Sequence, residues 1–411
     1  MKTTIFVLSL VATALSWNVP QPIRDRWVRD ASPHYSKCIC ASGAEVTSAE
    51  NVLGKLLYPN DACLKCFIKC IEIEMGLMLS DGTVIPEAWI QAEESIHLSF
   101  RMVLVLNGVL QEECPPDTRS LYHTHPVYRE TAAQLLAIPN KIIGPVGLLY
   151  VQQREFAATV PHDKNVSILG SDDATTCIVV IVRHSGSGAV ALAHFDGSGT
   201  DEAVCTMVQR VQELAMGYQE GRIELQLVGG FSDAHHYSEE LFYNIMNCFH
   251  KLPVEVDLTL ACVGELNTTV RGGIHWPMVY GVGVNVKTGE IFPATFPDKG
   301  PDQALRCARH LTGHAQVLDI YDNNLGLLRI GPFNYEPLRG VDLWLEQSDE
   351  FILQHLSTSP EVEPPHFVMQ IRATLKYIQD NQFPAVTVFR DNRPHYFRRD
   401  EHSGTWQPIR Y

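Results

Sequence analysis

The chain has 411 residues, 45% of them hydrophobic, and a formal net charge of −15. A chain of this length accommodates two or three domains of ~100–200 residues each. The acidic balance excludes the basic face that nucleic-acid binding requires, and no internal run reaches the ~18 apolar residues of a membrane span, so neither nucleic acid nor a membrane is an expected partner.

Residues 1–16, MKTTIFVLSLVATALS, join Lys2 to an apolar run that ends near the small residues Ala14 and Ser16, the pattern of a secretory signal peptide. Residues 17–114 read as a small all-α segment. SAENVLGKLL and DACLKCFIKCIEIEMGLML carry apolar side chains at helical spacing, SDGTVIPEAW is a turn before a proline-led helix start, and EESIHLSFRMVLVLNGVLQEEC continues as a further helix. PPDTRSLYHTHP, residues 115–126, is the proline-bearing linker that opens a second domain, 115–411. There VGLLYVQQ, CIVVIVRH, AVALAHF, RIELQLVGGF, VDLTLACVG, MVYGVGVNV, VLDIYD, LLRIG and AVTVFRD read as strands. REFAATV, EAVCTMVQRVQELAMGYQ, SEELFYNIMNCFH, QALRCARHL, SDEFILQHL and HFVMQIRATLKYIQDN read as helices. The expected class is α+β, with mixed and mostly antiparallel sheets flanked by helices in an α-β-β-α sandwich-like arrangement.

The cysteines divide unevenly. Cys38, Cys40, Cys63, Cys66, Cys70 and Cys114 are clustered, as in a secreted disulfide scaffold, whereas Cys177, Cys205, Cys248, Cys262 and Cys307 are sparse, as in a domain from a reducing compartment. Cys66 and Cys70 lie four apart on a helix, share one face, and each needs a partner elsewhere. With Cys38 or Cys40 before them and Cys114 after, their spacing resembles the insect pheromone and general odorant-binding protein family, which implies a small hydrophobic ligand for this segment. That family's fifth and sixth cysteines are missing here, so Cys66 and Cys114 lack the partners that the resemblance implies.

Cys177 stands apart, between the polar turn SDDATT and a β-branched run. IVVIVRH and AVALAHF flank SGSG and form a hairpin. A turn centred between Gly186 and Ser187 pairs His184 with Ala189, Val179 with His194 and Cys177 with Asp196. Side chains alternate along a strand, so Cys177 and His194 share a face as diagonal neighbours, with Cα atoms roughly 7–8 Å apart. His184 has the opposite parity and lies at the far end. A slip of one residue would separate thiol and imidazole. Cys177 is therefore the candidate nucleophile and His194 its base. Cys205, Cys248 and Cys307, in helix patterns, and Cys262, in a strand, read as structural.

GPVGLLYVQQREFAATVP, ILGSDDATTCIVVIVRHSGSG, LVGGFSD, GELN, GVNVKTGEIFPATFPDKGP, LRIGPF and LSTSPEVEPPHF, in order from about residue 120 onward, resemble the protein N-terminal asparagine amidohydrolase family. The cysteine-then-histidine hairpin is also similar to that of bacterial glutamine deamidases. The resemblance implies that Cys177 attacks the side-chain amide of an N-terminal asparagine in a protein or peptide partner, leaving aspartate, with no metal and no organic cofactor. His194 would pass the proton to the departing ammonia. Oxyanion donors would come from the Thr175 or Thr176 hydroxyls, or from the backbone N–H groups of Thr176 and Cys177. The substrate's α-ammonium calls for acceptors, with Asp172, Asp173, Asp196 and Glu265 as candidates.

A monomer in the cytoplasm or nucleus is expected, feeding the N-degron route of arginylation and ubiquitylation. The signal peptide would instead imply secretion. The leading segment therefore reads as foreign, joined from an adjacent gene, an expectation that messenger-RNA reads running through residues 114–122 would remove. The alternative is a secreted odorant-binding protein with a passenger C-terminal domain, glycosylated at the NVS of Asn165 or the NTT of Asn267. HTH at 123–125 and AHH near 235 have no companion ligands, and no P-loop lysine follows the SGSG glycines.

Overall fold

The computed structural model describes residues 104–218 and 220–409, preceded by positions 34, 37, 38, 42, 69–71 and 73. The chain divides into two compact units, Met1–Arg101 and Met102–Tyr411. In the first, the described positions are helical and a disulfide joins Cys38 to Cys70, with Cα atoms 5.5 Å apart. The signal-peptide reading, Cys40, Cys63, Cys66 and the remaining helical readings before residue 104 lie outside the described residues. No helix among the described residues is long and apolar enough to cross a membrane.

The second unit opens with a hairpin, β1 (Leu104–Leu106) and β2 (Val109–Gln111), where apolar spacing predicts a helix. The physical reason is the turn. Asn107 and Gly108 both take positive φ, 51° and 74°, the conformation of the tight hairpin turn that Asn-Gly favours. PPDTRSLYHTHP is likewise not a plain linker. The Asp117 carboxylate accepts the Ser120 N–H at 2.7 Å and starts helix α1 (Thr118–Thr124), and α2 (Val127–Leu136) follows.

Strands then dominate: β3 (Lys141–Ile142), β4 (Leu148–Tyr150), β5 (Glu155–Thr159), β6 (Ile168–Ser171), β7 (Ile178–His184) and β8 (Val190–Phe195). Helix α3 (Thr200–Leu214), β9 (Ile223–Gly229), α4 (Tyr237–His250) and β10 (Val256–Val263) come next, followed by β11 (Thr268–Arg271), β12 (Ile274–Pro277), β13 (Val282–Asn285) and β14 (Ile291–Thr295). The chain ends through α5 (Gln303–Leu311), β15 (Leu318–Asp319), β16 (Tyr321–Asp322), β17 (Leu327–Ile330), α6 (Val341–Leu345), α7 (Asp349–Leu356), α8 (Phe367–Asp380), α9 (Pro384–Thr387), β18 (His395–Arg399) and β19 (Trp406–Pro408). Two more elements differ from their sequence patterns. REFAATV forms β5, because every residue of that strand is buried between neighbours in the sheet. AVTVFRD begins as α9, led by Pro384 in its first turn, where proline's fixed φ favours a helix start.

The largest sheet runs β15-β5-β8-β7-β9-β10-β1-β2 and mixes parallel and antiparallel neighbours. One face, including Ile178, Val180, Val182 and Phe195, packs on Met207 and Val211 of α3 and on Phe242, Met246 and Phe249 of α4. The other, including Val179, Ile181, Val190 and Leu192, packs on Leu149, Leu169, Val282 and Val284 of a second sheet ordered β3-β14-β13-β6-β4. Helices α5 and α8 pack together, and Leu305, Ala308 and Ile378 join this inner layer. The unit is the expected α+β arrangement of sheets flanked by helices.

A buried ion pair ties α5 to β5. Arg306 is 1% exposed and Glu155 2%. They meet through two hydrogen bonds, Nε–Oε1 at 3.0 Å and Nη2–Oε2 at 2.6 Å. Despite its burial, the guanidinium holds the Glu155 carboxyl below its ordinary value. Arg306→Leu leaves that carboxylate unpaired and should lower stability by roughly 3–5 kcal/mol in urea unfolding. Adding Glu155→Leu should recover a substantial part of the loss.

Candidate functional site

The hairpin of β7 and β8 has the register that its turn residues predict. Val179 pairs with His194 and Arg183 with Val190, and the His184 N–H donates to the Ala189 carbonyl at 2.8 Å. Cys177 precedes the first residue of β7. It packs on the same inner layer as Val179 and lines a cleft of about 710 Å³ together with His194. His184 bonds Ser187 at the other end of the hairpin.

The segment 172–177 crosses from β6 in the second sheet to β7 in the first, and its ends are fixed on both sides. At one end, Asp172 accepts hydrogen bonds from the Tyr150 hydroxyl and the Phe296 N–H, both at 2.7 Å, and pairs with the Lys299 ammonium. Lys299 also reaches Asp173 at 2.9 Å. At the other end, the Gly230 N–H donates to the Cys177 carbonyl at 2.7 Å. Gly229, at φ 121°, passes so close that an added Cβ would stand 2.7 Å from that carbonyl oxygen.

His194 is 3% exposed. Its Nδ1 bonds the Ser171 hydroxyl at 2.7 Å, and its Nε2 is buried without a partner. Burial drives its pKa down to about 4. Burial also pushes the Cys177 thiol well above its ordinary value, and the charges of Asp196 and Glu363 add to that effect. These shifts favour the neutral thiol and the neutral imidazole, and Ser171 fixes the ring.

The candidate residues separate sharply. Asp172, Asp173, Thr175, Thr176, Cys177, His194 and Asp196 all line the cleft. Glu265 does not. It sits in the short 3-10 turn Gly264–Asn267 and pairs at 2.7 Å with Arg129 beside a separate surface hollow. Asp196 is engaged by Arg154 at 2.7 Å and Gln153 at 2.6 Å, and these donors hold its carboxyl low against burial. Asp173 is pushed up by burial but pulled down further by its hydrogen bond from His366, at 2.9 Å, and by Lys299. Burial and the Asp173 charge raise Asp172.

The threonine hydroxyls are also committed. Thr175 donates to Glu363 at 2.9 Å, and Thr176 shares a bond with Thr358 at 3.0 Å. This corrects the expectation of a free oxyanion donor at Oγ1 of Thr175. Asn267 is fully buried, with its amide donating to the Gly230 and Val279 carbonyls, so it is no glycan acceptor. Cys114, Cys177, Cys205, Cys248, Cys262 and Cys307 are all free thiols. Among the described residues no group of three or more His, Cys, Asp or Glu side chains could hold a metal ion.

Pattern reading misses Ser171, Tyr150, Gln152, Lys299, His310 and Glu363, all but Ser171 of which line the cleft. Lys299 and Glu363 lie in the proline-flanked strings FPDKGP and SPEVEPP, where a charged residue on a constrained loop is the available signal. Ser171 and Gln152 carry no such signal.

Comparison with known proteins defines the class as a hydrolase. The chain matches the family described as protein N-terminal asparagine amidohydrolase over residues 138–408. It is 44% identical over 295 residues to the Sus scrofa protein of that name and 43% identical over 295 residues to the Homo sapiens one. Each alignment covers 72% of this chain and 94% of the relative. The Arabidopsis thaliana protein of the same name is 27% identical over 286 residues, covering 63% of this chain and 80% of its own. The chain belongs to the protein N-terminal asparagine amidohydrolase family.

A neutral resting pair has a kinetic signature, because only the thiolate is alkylated. The rate of iodoacetamide modification at the Cys177 peptide should climb roughly tenfold per pH unit between about pH 7 and about pH 9. A plateau already reached at acid pH would instead reveal a preformed thiolate–imidazolium pair.

Proposed function

We propose that the second unit hydrolyses the side-chain amide of an N-terminal asparagine in a protein or peptide, giving aspartate and ammonia, with Cys177 as nucleophile and His194 as base. The observation that carries this reading is that Cys177 and His194 line one cleft, with Nε2 of His194 unpartnered.

In the first step Nε2 takes the thiol proton as the sulfur bonds to the amide carbon, and the carbonyl electron pair moves onto oxygen. Collapse of this intermediate breaks the C–N bond, and the imidazolium returns its proton so that nitrogen leaves as ammonia. Water then gives a proton to the same nitrogen and adds to the thioester. A second collapse returns the imidazolium proton to sulfur and frees the carboxylic acid, which gives its own proton to the ammonia and leaves as carboxylate.

Glu363 is the acceptor for the substrate's α-ammonium. Asp172, Asp173 and Asp196 are already held by cations, whereas among the described residues no cationic side chain is ion-paired with Glu363. It is held by the Thr175 and Ser357 hydroxyls, at 2.9 and 2.5 Å, and its charge acts on Cys177. Burial raises its pKa, as for an acid awaiting a counter-charge.

The free thiols of this unit support a reducing compartment, cytoplasm or nucleus, where the product would feed the N-degron route. A monomer suffices for this cleft. For residues 1–101 the Cys38–Cys70 disulfide and the cysteine spacing support a separate odorant-binding-like reading, with a small hydrophobic ligand.

The full chain, given a peptide that begins with asparagine, should release ammonia and leave aspartate at the first position. Cys177→Ala should abolish this, and mass spectrometry of the peptide reads both. A Cys177→Ala protein with unchanged turnover would defeat the mechanism. Glu363→Gln should raise KM roughly tenfold to hundredfold, as loss of one charge-assisted hydrogen bond does, and N-acetylation of the peptide should remove the difference between the two enzymes.

A further inference from the structure

We propose that Gln152 is a catalytic residue whose side-chain Nε2 donates a hydrogen bond to the oxygen of the substrate amide as it becomes an oxyanion, and that Cys307 is the positioning residue that aims it. This deepens the cysteine-amidase reading above and rests on it.

Gln152 ends the stretch that leaves β4 and opens the turn into β5. The turn is closed by the Glu155 N–H donating to the Gln152 carbonyl at 3.1 Å and by the Gln152 N–H donating to the Glu155 carboxylate at 3.0 Å. Phe156 of β5 pairs with Ala193 of β8, and the Arg154 N–H donates to the His194 carbonyl at 3.0 Å. The turn is thereby stitched to the backbone of the catalytic imidazole.

Gln152 itself is 4% exposed and lines the cleft with Cys177 and His194. The two ends of its amide differ. Oε1 accepts from the Cys307 thiol of α5 at 2.9 Å, while Nε2 is buried without a partner. A buried amide N–H₂ without an acceptor costs on the order of 1–3 kcal/mol, and native structures rarely keep one unless it has a task.

The required task is at hand. Attack by sulfur moves the carbonyl electron pair onto oxygen, and the protein must supply donors for that charge. The Thr175 hydroxyl proton is spent on Glu363 and the Thr176 hydroxyl is bonded to Thr358. Nε2 of Gln152 is a neutral donor, held by a second side chain and buried from solvent, which is what preorganised stabilisation of an oxyanion requires. The burial of α5 through Arg306, which also donates to the Tyr150 carbonyl at 2.7 Å, keeps Cys307 against the amide.

The test uses the full chain and three variants. Gln152→Met keeps the length of the side chain and removes the donor, and it should lower kcat for an asparagine-initiated peptide by roughly 10²–10³-fold with KM little changed. Alkylation of Cys177 by iodoacetamide forms no oxyanion, so its rate should be unaltered, which separates loss of the donor from damage to the cleft. Cys307→Ala should lower kcat by a smaller factor, and Cys307→Ser, which retains a donor to Oε1, should restore it. An unchanged kcat in Gln152→Met, or a raised KM with kcat intact, overturns the assignment of Gln152 while leaving the reaction standing. A wild-type protein that releases no ammonia overturns the reaction, and this proposal falls with it.

Discussion

The antiparallel register of β7 against β8 is the constraint on which the cleft depends. Val179 opposite His194 fixes which side chains share the inner face, and it does so through backbone pairing. A slip of one residue would turn the imidazole toward α3 and α4, into the apolar layer of Ile178 and Val180. Burial on both faces makes that slip expensive. The hydrophobic pattern that closes the sandwich also brings Cys177 and His194 to one cleft.

A second constraint acts on the thiol. Residues 172–177 pass between two sheets without regular structure, so their position depends on the side chains that grip them. Lys299, Tyr150 and the Phe296 N–H hold Asp172, while the Gly230 N–H holds the Cys177 carbonyl. The acids beside Cys177 are therefore clamps, neutralised in place. Glu363, an acid of the cleft with no ion-paired cation among the described residues, arrives from the loop between α7 and α8, far along the chain. Because burial raises the thiol and lowers the imidazole, the proposed mechanism has proton transfer await the amide. In it, an oxyanion with donors around it would supply the free energy that the resting pair lacks.

Much of this was legible in the residues alone. The SGSG turn fixed the pairing of Cys177's strand with that of His194, and amphipathic spacing located α3, α4, α5, α7 and α8. What the patterns missed has physical causes. The hairpin at 104–111 was hidden because LVLNGVL satisfies both periods, and only the Asn-Gly turn separates them. REFAATV is short and alanine-bearing, so its strand state comes from neighbours in the sheet. Glu265 stands in a family-like string yet turns outward to Arg129, because a motif marks a segment and not the direction of each side chain. Ser171, Gln152 and Glu363 act by meeting partners from distant parts of the chain, and no local spacing encodes such meetings.

The central claim is that the sulfur at 177 becomes covalently bonded to substrate carbon. The most direct measurement is rapid acid quenching of the full chain during turnover of an asparagine-initiated peptide, followed by proteolysis and mass mapping. The account predicts a thioester on the peptide that contains Cys177, with the mass of the substrate less ammonia. Steady turnover with no adduct there, or with the adduct on another residue, would contradict it.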